Sequence, residues 1–81
     1  MREFSLAQGL HAQLLGLAVR HQAVKIRKAE ICVGSNAGIV VDSFNCGLNA
    51  LIKQNVSTRD MDLVIRRDSS NDLMLMSVEL E

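Results

Sequence analysis

Gly9-Leu10-His11-Ala12-Gln13 sets a histidine between a flexible glycine and a strongly helix-forming stretch. Read as a turn followed by a helix start, it places His11 at a helix N-terminus. Backbone N–H groups are unpaired there and the helix dipole favours negative charge. The backbone of Ala12, Gln13 and Leu14 then makes an anion site. A neutral imidazole is a good nucleophile near neutral pH, so His11 at its mouth could accept a phosphoryl group. The plainer alternative is a surface histidine beside a loop.

Working outward, Phe4 and Leu6 alternate with Glu3 and Ser5 like a half-buried strand, and Gln8-Gly9 turns the chain. Residues 12–22 read as a helix, with Leu15, Ala18, Val19 and Gln22 at packing-face spacing. Residues 24–28 are ambiguous between a strand and a charged helix end. Ala29 to Val33 and Gly38 to Val41 are short apolar runs around Gly34-Ser35-Asn36-Ala37, a hairpin signal. Asp42 or Ser43 can cap a helix over 44–53, in which Gly47 permits close packing. Residues 61–66 read as a fourth strand and 71–80 as a last helix. The expected core is Phe4, Leu6, Leu15, Ala18, Ile31, Val33, Val40, Leu48, Leu51, Leu63 and Ile65.

The order β-α-β-β-α-β-α describes one α+β domain over residues 1–81. It is an open-faced β-sandwich, with a four-stranded antiparallel sheet and three helices on one face. A ferredoxin-like domain shares most of that order. Nine basic and nine acidic side chains cancel. With Phe4 and Phe44 the only aromatics, nucleic acid is disfavoured as a partner. No apolar run reaches the roughly 20 residues of a membrane span, and the start has no signal-peptide stretch, so no membrane partner is expected and the chain reads as cytoplasmic. Cys32 and Cys46 lack Cys-x-x-Cys spacing. Cys32 belongs in the core, and a zinc site with Cys46, His11 and His21 is a minor alternative to no metal at all.

Gly9-Leu10-His11-Ala12, followed by Ala29–Val33, Gly38–Val41, the Gly47 helix and Leu63-Val64-Ile65, resembles the HPr family, the histidine-containing phosphocarriers of the bacterial sugar phosphotransferase system. The resemblance implies the HPr fold and a carrier rather than an enzyme. It needs no cofactor. An enzyme I-type donor would phosphorylate His11, and an enzyme II-type or regulatory protein would accept the group. The family's motif arginine and proline are Gln13 and Leu14 here. Loss of one charge-assisted bond would slow transfer roughly ten- to a hundredfold, with Arg20, about two turns on, as a partial substitute. Partner docking would fall on Leu14, Leu17, Phe44, Asn45, Cys46 and Asn49. Ser43 is the candidate regulatory serine, its alternative role being a helix cap. The competing function is a regulatory or binding module that keeps the HPr fold without phosphorylation.

Overall fold

The computed structural model describes residues 2–81. The chain runs α1 (Arg2–Arg20), β1 (Ile26–Gly34), α2 (Val41–Lys53), β2 (Asp62–Asp68) and β3 (Leu73–Leu80). Strand order is β2-β1-β3, with β1 parallel to β2 and antiparallel to β3. The fold expected from the HPr resemblance is therefore corrected in three respects. Among the described residues there are three strands, not four; the sheet is mixed; and two helices pack on it, not three.

The first strand and the turn at Gly9 are both part of α1. Ala7, Leu10, His11, Leu14 and Ala18 are its buried residues, a spacing of 3, 1, 3 and 4 that only a helix aligns on one face. The alternation at residues 3–6 is too short to compete with it. Gly9 costs the helix about 1 kcal/mol relative to alanine and meets no neighbour. Gln22, at φ +55, ends α1. Its N–H bonds to the Val19 carbonyl and that of Ala23 to the Ala18 carbonyl, the paired closure of a Schellman motif.

Residues 38–41 form no strand. They lead into α2, so β1-α2-β2 is a crossover between parallel neighbours, as the parallel pairing requires. The supposed last helix is β3. Its inward residues are Leu73, Leu75, Val78 and Leu80, a period of two interrupted by a register shift opposite Glu30 and Ile31. That irregularity is what makes the run look partly helical.

Ala29, Ile31 and Val33 point inward from β1 and are fully buried. They join Ala7, Leu10, Leu14 and Ala18 of α1 and Phe44, Leu48 and Ile52 of α2 in one cluster. Both helices thus cover one sheet face. Of the expected core, Val40 is 58% exposed and Phe4 39% exposed. Leu6, Leu51, Leu63 and Ile65 pack at the cluster's margin, and Leu15 is half-buried. The β2–β3 connection crosses the end of β1 so closely that a Cβ on Gly34 would collide with Ser70. Gly34 N–H bonds to the Asp72 carbonyl at 2.8 Å and Ser35 N–H to that of Asp68 at 2.8 Å. Glycine is needed at position 34 for this close approach. Among the described residues no helix is long and apolar enough to cross a membrane.

Candidate functional site

The expected anion site is not formed. His11 lies in mid-helix, so the N–H groups of Ala12, Gln13 and Leu14 belong to the helix's own ladder rather than to a free N-terminus. His11 is 8% exposed, with Nε2 3.2 Å from Thr58 Oγ1. The Thr58 hydroxyl donates to the Ile52 carbonyl at 2.8 Å. Its hydrogen is thereby committed, so His11 Nε2–H donates to Thr58. Burial pushes the His11 imidazole below its ordinary value. This histidine joins α1 to the loop after α2, and its ring is not presented to a donor protein.

The other expected site residues disperse. Leu14 is fully buried and Arg20 lies exposed in the last turn of α1. Phe44 is core, not docking surface. Asn49 Nδ2 donates to the carbonyl and Oδ1 of Asn45, one turn back on α2. Gln13 and Leu17 border a second cleft with His21, against β3. Neither Asp42 nor Ser43 caps α2, because its N-cap is Val40. Cys32, Cys46, His11 and His21 do not converge, and among the described residues no three His, Cys, Asp or Glu side chains come close enough to hold a metal ion.

What the fold does bring together is the N-terminal turns of its two helices. A cleft of about 400 Å³ opens between them, lined by Glu3, Phe4, Asp42, Ser43, Cys46 and Gly47. Gly47 makes the close approach possible, since a Cβ there would stand 3.1 Å from the Phe4 ring. Arg2 donates to the Ala37 and Gly38 carbonyls, at 3.0 and 3.2 Å, and Gly38 takes φ +71. Glu3 Oε2 accepts the Val40 N–H at 3.2 Å. In a capping box a glutamate reaches back to the N-cap N–H from within the same helix; here it comes from α1. That bond, ahead of the nearby Arg2 charge, holds the Glu3 carboxyl below its ordinary value. The cleft therefore offers two carboxylates and an exposed thiol on a rigid frame. Sequence reading had Asp42, Ser43 and Cys46 in other roles and missed Arg2 and Glu3 as site residues. Their proximity spans roughly forty positions, and no local pattern signals it.

Fold and cleft together define a small open-faced α/β domain that presents side-chain donors at its surface. No protein-family profile matches the sequence. The chain is 30% identical to the hydrogenase maturation factor HypA of Nitrosospira multiformis, over 99% of this chain and 97% of that protein. It belongs to the HypA family. The alignment runs over 112 positions against the 81 residues here, so at least 31 of the relative's positions have no counterpart. The fold is also that of the solution structure of the Ni metallochaperone HypA from Helicobacter pylori, with TM-score 0.75, 15% identity, and 98% of this chain and 92% of that one covered. A second solution structure, of a HypA protein, gives TM-score 0.79 at 17% identity, covering 100% and 97%. These matches overturn the HPr assignment and both functions attached to it, carrier and HPr-type module, along with the enzyme I and enzyme II partners. The tetrapeptide shared with that family sits in a different element, so the likeness was local.

Proposed function

We propose that this chain is a hydrogenase maturation factor that handles nickel as cargo and catalyses no bond change. The observation that carries the reading is the match to a hydrogenase maturation factor along 97% of that protein's length. The cleft between the helix N-termini is the place where such cargo would be met. Glu3 and Asp42 supply oxygen donors and Cys46 a sulfur, donor types that divalent first-row ions accept. Among the described residues these groups do not converge as three ligands, so the cleft is not a closed coordination site. We place it in the cytoplasm, consistent with two free cysteines and with the lack of a membrane-crossing helix among the described residues.

One observation favours a second reading. With at least 31 positions of its relative unmatched and no three-ligand cluster, the chain could act in maturation by docking alone, leaving the ion to another protein. Expressing the chain in a host that lacks its own HypA, with and without added nickel, tests both. Restored hydrogenase activity without added nickel supports maturation, and its absence overturns it. Equilibrium dialysis against Ni²⁺, repeated with Glu3→Gln and Asp42→Asn, decides between carrying and docking. Weak binding reduced by either variant supports carriage through the cleft, whereas no binding with activity restored assigns docking.

A further inference from the structure

The two edges of the sheet are built differently. β2, at one edge, has four charged residues in seven, Asp62, Arg66, Arg67 and Asp68. Charge along an edge guards against the addition of another strand. β3, at the other edge, has one charge in eight, Glu79, and no proline. It pairs with β1 on one side, and among the described residues its outer edge has no neighbouring strand. Between that edge and α1 runs an open cleft of about 460 Å³, to which Gln13 and Leu17 contribute from α1 and His21 from the turn after it.

The register shift gives β3 an unusual symmetry. Leu75 pairs with Ile31 and Ser77 with Glu30, so Met76 is the extra residue. Leu73 and Leu75 on one side of it, and Val78 and Leu80 on the other, face the core. The inward pattern is therefore a palindrome about the bond between Met76 and Ser77. Suppose a second β3 runs antiparallel alongside with a two-fold axis at that bond. Leu75 then meets Val78 and Leu73 meets Leu80, each inward residue opposite another. Met74 lies opposite Glu79, and no like charges are opposed. In a strand without the extra residue the same axis would set inward residues against outward ones. A two-fold contact uses one patch twice, so a self-matching patch is what it requires. The zero net charge of the chain leaves no overall repulsion between copies.

We infer that two copies of this chain pair through their β3 edges into a continuous six-stranded sheet, β2-β1-β3-β3-β1-β2. Both helix layers lie on the same face, and the stripe of Gln13 and Leu17 on α1, continued by His21 in the turn after it, borders the seam from each side.

Sedimentation equilibrium of the full chain, up to near-millimolar concentration, tests this together with charge variants at two exposed positions, 74 and 79. Both lie at the surface, so the variants keep the fold, which circular dichroism checks. Wild type is expected to dimerise. Met74→Glu sets a second acid opposite Glu79 in two symmetric pairs and should weaken the dimer roughly two- to thirtyfold, the range of two like-charge cross-strand pairs. Met74→Lys should tighten it, and adding Glu79→Lys to Met74→Glu should restore it. A wild type that stays monomeric throughout overturns the inference. So does a dimer indifferent to charge at 74 and 79, which would place the contact on another surface.

Discussion

At the scale of single residues, His11 shows how one side chain can be read correctly as unusual and wrongly as exposed. A histidine is rarely placed by accident, and this one has a specific partner in Thr58. Its work is to join α1 to the loop that follows α2. Because burial lowers its folded value, the unfolded chain takes up the proton first as pH falls through about 6.5. Protons bound in the unfolded state then exceed those in the folded one, so stability declines with acid. The contribution is complete above the unfolded value and is lost as pH falls through the depressed folded one. Urea unfolding of wild type and His11→Gln checks this, since glutamine has no titration here. Near pH 7.5 the variant should be less stable by about 1–3 kcal/mol, from the weakened buried hydrogen bond and altered packing. Near pH 5.5 the gap should narrow, and an unchanging gap would show that the imidazole is not desolvated.

Elements were legible where their pattern is long and regular. The ends of α2 lie within a few residues of expectation, and β1 and β2 contain the apolar runs Ala29–Val33 and Leu63–Ile65. The misreadings have particular causes. Gly9 looked like a turn, yet the apolar spacing from Ala7 to Ala18 outweighs one glycine. The extra residue Met76 broke the alternation of β3, so a strand of leucine and methionine passed for a helix. The true stop of α1 is Gln22, which holds the left-handed conformation that glycine adopts without strain. Gln22→Gly should therefore raise stability by about 1 kcal/mol, read as a higher thermal midpoint with unchanged circular dichroism. A loss of stability would mean that the Gln22 side chain carries contacts worth more than the backbone strain.

For the whole molecule, one apolar cluster built from both helices and β1, with β2 and β3 packed against it, holds the fold, and no described group of side chains forms a structural metal site. Excess chelator should leave the thermal midpoint within about 1 °C of its untreated value, because apolar packing, and no metal-ligand cluster among the described residues, holds the fold. A marked fall on chelation would show that a metal ion is part of the fold.

The sequence by itself determined the balanced charge, and it located α2, β1 and β2, because those properties depend on composition and on periodicity within about ten residues. It could not determine which strands pair, in which direction, or what stands beside what. Gly34 shows why: its need for glycine comes from Ser70, which passes over it from the β2–β3 crossing. Glu3 shows it again, since the N–H it accepts belongs to Val40. A four-residue likeness centred on His11 outweighed these distant relations in the reading because it was local and visible. Only the tertiary structure, by closing the chain over distances of about forty residues, turned His11 into a packing residue and Glu3, Asp42 and Cys46 into neighbours.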